Sequence, residues 1–298
     1  MKPGATRAPA RLARIGAAFA VLLLCLPLVQ IVRGYRWERQ VAQPRTGPVS
    51  IPGDAATLGL TPFHTSAGNA RIAGWFVRPR GGGTIVMCHG NSADRTSLLN
   101  EARALLAAGH GIVLFDWPGH GESTGVMELG EPAQLALQAV LNATMKLPGV
   151  DSSRVGLFAF SFGGVTATRG AARDTRVRSL VLVATPLDLE TPVDQRIGTR
   201  LRLQGGLLFW RVQGSPLGAL SIAGVAPLLA PRPVLVIAGE ADPVVPPAQA
   251  ALLASLIGRS VELLLLPGAE HGNYFLLHPE YGAHIAAFFT RTLGQSPV

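Results

Sequence analysis

The stretch LFAFSFGGV, Leu157–Val165, places one hydroxyl between two phenylalanines, after an apolar run and before two glycines. A strand that turns sharply into a helix holds the turning residue in strained geometry and exposes its side chain at the sheet edge. The residues two before and two after that turn must be small, and here they are Ala159 and Gly163. This is the G-x-S-x-G pattern with alanine at the first glycine. The hydroxyl of Ser161 is a weak nucleophile until a base takes its proton and an acid orients that base. Two downstream stretches offer those groups. GEADPVVP carries Asp242, GAEHGNY carries His271, and each follows an apolar run. Acyl transfer also needs N–H donors for an oxyanion. In CHGN, Cys88–Asn91, Gly90 lets the backbone approach closely. The N–H groups of Asn91 and Phe162 are the expected pair, helped by the positive end of the helix beyond Ser161.

Each residue also has a plainer reading. Ser161 alone would serve as a helix N-cap. Asp242 would cap the next helix or turn, and Asp188, after the preceding strand, is the rival acid. Asp151 sits before a strand, on the wrong edge of a sheet. His271 alone would be a surface loop histidine. His278 and His284 lie on or near the last helix and read as structural. His89 is expected to brace its loop, and Asp116 and His120 to hold their turn. Phe160 and Phe162 either line a pocket or pack.

Several elements must position these groups. Thr84–His89, Gly111–Trp117, Arg154–Phe160, Val177–Ala184, Pro233–Glu240 and Val261–Gly268 are short apolar runs bounded by turn residues. Such runs suit parallel strands covered on both faces. Helical patterns separate them at 94–109, 131–146, 162–173, 246–257 and 279–293, the first opening on Asp94 and closing on Gly109. Thr61–Pro79 reads as a leading hairpin. The alternation predicts an α/β fold, a mostly parallel central sheet flanked by helices. Ser161, Asp242 and His271 would then all lie beyond strand C-termini, where such sheets bind ligands. Residues from about 186 to 231 break the rhythm and are expected to form a small helical cap.

Ile15–Val32 carries no charge for 18 residues and is flanked by arginines. That is long enough to cross the ~30 Å hydrocarbon core. We expect residues 1–14 to be a basic tail, 15–32 a transmembrane or signal-anchor helix, and 33–55 a tether. A hydrolytic domain would occupy 56–298, outside the cytoplasm, with secretion after signal cleavage as the alternative. The formal charge of +8 is concentrated before residue 40, where seven cations meet one acid. The body carries only +2, which argues against nucleic acid. Two cysteines, Cys25 and Cys88, form no disulfide or metal pattern.

These motifs, in this order, resemble the α/β-hydrolase family over roughly residues 57–295. They are His89-Gly90-Asn91 after one strand, the turn from Asp116 to Ser123 with its D-x-x-G-x-G-x-S pattern, the Ser161 elbow, Asp242 and His271. With the N-terminal apolar run and the HGN loop, the chain looks most like membrane-tethered serine hydrolases of the Bem46 and ABHD12/13 type. The resemblance implies a serine hydrolase that cleaves a carboxylic ester without cofactor or metal, and the apolar cap and the N-terminal anchor point to an acyl or lipid-derived ester. Its partners would be a small-molecule ester and, through the N-terminal helix, a membrane, with no nucleic acid; the oligomeric state stays open. A peptidase or thioesterase with the same triad, and a non-catalytic tethered binding protein, are the alternatives. Dehalogenases and epoxide hydrolases are disfavoured, because they need a carboxylate where Ser161 stands.

Overall fold

The computed structural model describes residues 45–51, 53–126, 130–188 and 220–294, with seven positions between 14 and 32. Most of the Ile15–Val32 run, and residues 189–219 of the expected cap, lie outside the described residues. Among the described residues no helix is long and apolar enough to cross a membrane.

Eight strands form one sheet: β1 (Thr61–Ala67), β2 (Ala70–Val77), β3 (Thr84–Cys88), β4 (Gly111–Phe115), β5 (Val155–Phe160), β6 (Val177–Val183), β7 (Val234–Gly239) and β8 (Val261–Leu266). Their order across the sheet is β8-β7-β6-β5-β3-β4-β2-β1. The β1–β2 hairpin and the β2–β4 pair are antiparallel, and all other pairs are parallel. Six strand C-termini, β3 to β8, therefore share one edge.

Among the described residues that pack around the sheet, the helices are α1 (Leu99–Ala107), α2 (Glu131–Thr144), α3 (Phe162–Arg173), α4 (Pro247–Ile257), the single turn α5 (Tyr274–Leu277) and α6 (Tyr281–Leu293). The period-two alternation of strand side chains sorts the core into two layers. Val86, Leu157, Leu182 and Val236 face α2, α3 and α4. Ile85, Met87, Phe158 and Ile237 face α1 and α6. Every residue of β3, β4 and β7 is buried. Each fully buried Val, Leu, Ile or Phe contributes ~1.5–3 kcal/mol, so the central strands are the rigid frame for the loops at their ends.

Local chemistry sets the boundaries. The Asp94 carboxylate accepts the Thr96 N–H at 2.8 Å and opens a 3-10 turn, Arg95–Leu98, that leads into α1. Gly109, at φ +83°, closes the same unit in the left-handed region that favours glycine.

Two expectations differ from the structure. The apolar run of β8 is not covered on both faces: Glu262, Leu263 and Leu265 are exposed, because β8 is the outermost strand. The second half of the expected tether carries regular structure. Arg45–Thr46 pairs in parallel with His120–Gly121, and Gly53–Leu58 forms a 3-10 helix. Val49 and Leu58 pack on the core layer of α1 and α6, which is the apolar burial a solvated tether lacks.

At the expected cap, the Ile222 N–H donates to the Leu187 carbonyl at 2.9 Å, and the Gln249 amide of α4 accepts the Leu187 N–H at 2.7 Å. Leu187 and Ile222, described residues on either side of 189–219, therefore lie side by side.

Candidate active site

Ser161 joins β5 to α3 at φ 52° and ψ −120°, a conformation rare outside glycine. Its N–H is held by the Val183 carbonyl of β6 at 2.8 Å, and its side chain does not cap α3. The plain N-cap reading therefore does not apply. The glycine requirement also has a more specific cause than the closeness of residues 159 and 163. A Cβ on Gly163 would lie 2.5 Å from the Cys88 carbonyl oxygen and 2.7 Å from that of His89. The helix start is thus pressed against the end of β3.

Asp242 lies in the loop after β7, with its side chain fully buried. Oδ1 accepts the Val244 and Val245 N–H groups at 2.7 and 2.9 Å. Oδ2 accepts Nδ1–H of His271 at 2.8 Å. That bond selects the Nδ1–H tautomer of His271 and leaves Nε2 as an acceptor. Nε2 stands 3.1 Å from Ser161 Oγ, so the hydroxyl donates to it. The two loops are pinned together by the Ala241 N–H on the Ala269 carbonyl at 3.0 Å. Phe160 tilts against the imidazole at 5.1 Å between ring centres, so it packs on the base itself.

Asn91 sits half-buried in the turn after β3. The space above Gly90 is filled by Phe160 and Ser161: a Cβ there would meet Phe160 Cδ1 at 3.0 Å and Ser161 Cβ at 3.4 Å. The HGN backbone therefore lies alongside the serine. Phe162 is the first residue of α3, where N–H groups have no intrahelical partner. Its ring is buried edge-on toward Trp117 at 6.3 Å and packs in the core.

The loop is braced from below. Nε2 of His89 accepts the Trp117 N–H at 3.2 Å, and His89 Nδ1–H donates to the Gly90 carbonyl at 2.7 Å. The Trp117 indole donates to the His89 carbonyl at 2.9 Å. Burial, then the nearby His120 imidazole, holds the His89 pKa down at about 3, so the ring is neutral. Asp116 accepts the Arg95 and Glu122 N–H groups at 2.8 and 2.9 Å, and Ser123 Oγ–H donates to the Asp116 carbonyl at 2.8 Å.

The remaining sequence candidates serve elsewhere. Asp188 is half-buried after β6, and the carboxylate bonded to His271 is that of Asp242. Asp151 caps an exposed turn through Ser153. His278 bridges Glu280 and the Pro267 carbonyl, and His284 is exposed on α6. Among the described residues no three His, Cys, Asp or Glu side chains gather as metal ligands would.

Arg95 was not singled out in the sequence. It is buried, pairs with Asp116 and Glu122, and stacks on Trp75 at 4.1 Å. The one available signal is that a buried Asp116 requires a cationic partner.

The sequence profile of a family described as alpha/beta hydrolase fold matches residues 83–214. An uncharacterized protein of Mycobacterium tuberculosis H37Rv, Rv2307c, is 28% identical over 269 residues, 85% of this chain and 90% of the relative. The uncharacterized Escherichia coli K12 protein YfhR is 29% identical over 223 residues, 71% of this chain and 72% of its own. Among solved structures, the Pyrococcus furiosus esterase Pf2001 superposes with a TM-score of 0.71 at 20% identity, covering 85% of this chain and 98% of that one. The fold is that of the α/β hydrolases.

Proposed function

We propose that the protein is a serine hydrolase that cleaves a carboxylic ester of an acyl or lipid-derived kind. The observation that carries this reading is the hydrogen-bonded line from Ser161 through His271 to Asp242 at a strained elbow. The α/β-hydrolase fold and the likeness to a protein named an esterase support it.

In this reading, Ser161 Oγ attacks the ester carbonyl carbon as its proton passes to His271 Nε2. Asp242 holds the imidazole and stabilises the imidazolium. The Asn91 and Phe162 N–H groups take the negative charge on the carbonyl oxygen. The C–O bond to the alcohol breaks, and His271 returns the proton to the leaving oxygen. Water, deprotonated by His271, then releases the acid from Ser161.

The apolar Ile15–Val32 run supports membrane attachment by an N-terminal helix, with the hydrolytic domain outside the cytoplasm. A lipid-derived ester fits that placement. The test treats the full-length protein in detergent with a fluorophosphonate probe, beside Ser161→Ala and His271→Ala. Labelling of the wild type alone is expected. No labelling of the folded wild type overturns the reading and leaves the non-catalytic binding protein. A preference for short chains across a p-nitrophenyl ester series would remove the lipid assignment while leaving the hydrolase.

A further inference from the structure

The segment Arg45–Val49 is attached to the sheet edge that carries Ser161. It pairs in parallel with His120–Gly121 and adds two side-on bonds. The Gly47 N–H donates to the Gly121 carbonyl at 2.8 Å, and the Val49 N–H reaches Glu122 Oε1 at 3.4 Å. Both acceptors belong to the turn after β4.

That turn is wired to the loop beside Ser161 by two routes. Through Asp116 it reaches Trp117, which grips His89 by its main-chain N–H and its indole. Through Glu122 and Asp116 it reaches Arg95, four residues beyond Asn91. Gly121 itself is pressed against the Asp116 carboxylate, where an added Cβ would lie 2.2 Å from Oδ2. A shift of Gly121 is therefore transmitted to Asp116 directly. The Gly90–Asn91 loop is held at both ends by a turn whose outer side is clamped by the strap.

We propose that Arg45–Val49 is a positioning strap for the Gly90–Asn91 loop, acting on the chemical step and not on substrate binding. It rests on the reading of that loop as the oxyanion site. The strap is also the part of the chain that connects the N-terminal apolar run to the hydrolytic body. Tension or release at the strap therefore reaches the Gly90–Asn91 loop through named bonds. Oxyanion donors act only when held at the position the developing charge will occupy, so small displacements lower the rate.

The test removes one donor. Gly47→Pro in the full-length protein deletes the N–H given to Gly121, and Gly47→Ala keeps it in a place where a Cβ meets nothing within 4 Å. The readouts are the fluorophosphonate labelling rate, and kcat and KM on a p-nitrophenyl ester. Gly47→Pro should lower the labelling rate and kcat about fivefold with KM unchanged, and Gly47→Ala should match the wild type. Should Gly47→Pro fail to fold, Val49→Pro removes the other donor and carries the same expectation. A labelled wild type with an unaffected proline variant overturns the strap alone, as does a rise in KM at constant kcat. An unlabelled wild type overturns the oxyanion reading and the strap with it.

Discussion

Glu101 offers a prediction that can be worked from structure to number. It lies in the first turn of α1, buried in the layer between α1 and α6. It faces the Tyr281 hydroxyl, which makes no hydrogen bond of normal geometry. Burial raises its carboxyl from an ordinary 4.5 to about 7, with its own backbone N–H and Tyr281 pulling the other way. The folded state therefore holds the proton more tightly than the unfolded chain does. Stability from this group is fully present below pH 4.5 and is lost as pH rises through about 7. At ~1.4 kcal/mol per pH unit, the loss by pH 8 is about 3 kcal/mol.

Glu101→Gln keeps the shape and removes the charge. The variant and the wild type should unfold at similar urea concentrations at pH 4.5, and the variant should be more stable by about 3 kcal/mol at pH 8. Urea titrations of the detergent-solubilised protein at both pH values measure the difference. His89 works in the opposite sense, since its depressed pKa makes stability fall as pH drops from 6.5 toward about 3. It is common to both proteins and cancels from the comparison. An equal difference at the two pH values would refute the argument, because it would mean that Glu101 does not change charge between them.

Three further outcomes test the site and its frame. Asp242→Asn should leave the fold intact and lower kcat about 10³–10⁴-fold in an ester assay, because the histidine tautomer is no longer enforced. Gly163→Ala drives a Cβ to 2.5 Å from the Cys88 carbonyl oxygen. It should lose ~1–3 kcal/mol of stability. Its fluorophosphonate labelling should fall by ~10-fold or more, while Gly224→Ala, with open space around it, behaves as the wild type. Arg95→Met strands the buried Asp116 carboxylate and should lose about 3–5 kcal/mol in chemical denaturation; adding Asp116→Asn should recover part of the loss, which a double-mutant cycle reads.

The frame and the placement of the candidate site groups were legible because their signals are local. A short apolar run bounded by turn residues and rich in β-branched side chains suits a covered strand, and the runs from Thr84 onward each contain an observed strand. Ser161 follows such a run directly and His271 follows one after a short turn, and a loop at a strand C-terminus can point at only one edge. Arg95 carried no local signal. Its role depends on Asp116, 21 residues away, and on Trp75, which reaches the same place from β2. The exposure of β8 was hidden for a similar reason. Val261–Leu266 has the composition of a central strand, and only the order of the whole sheet makes it an edge. The strap was illegible because two main-chain N–H groups, Gly47 and Val49, make its side-on bonds, and main-chain donors leave no mark in residue types.

The pairing of His271 with Asp242, with Asp188 as the rival in sequence, is carried by the contacts that join their two loops. Both acids end a strand and both are plausible by type. His271 follows β8, the neighbour of β7, while β6 lies one strand further in. Adjacent strands are ~4.8 Å apart, so an acid after β7 reaches Nδ1 from beneath the same loop. The serine, after β5, is three strands from β8 and ~14 Å away at that spacing. The loop from Pro267 to Asn273 must therefore arch over β7 and β6 to bring Nε2 to Ser161. The Ala241–Ala269 bond and the Phe160 ring under the imidazole hold the arch in that position. The Val244 and Val245 N–H groups on Asp242 Oδ1, more than strand spacing, fix which acid faces the imidazole, because they turn Oδ2 toward Nδ1 of His271.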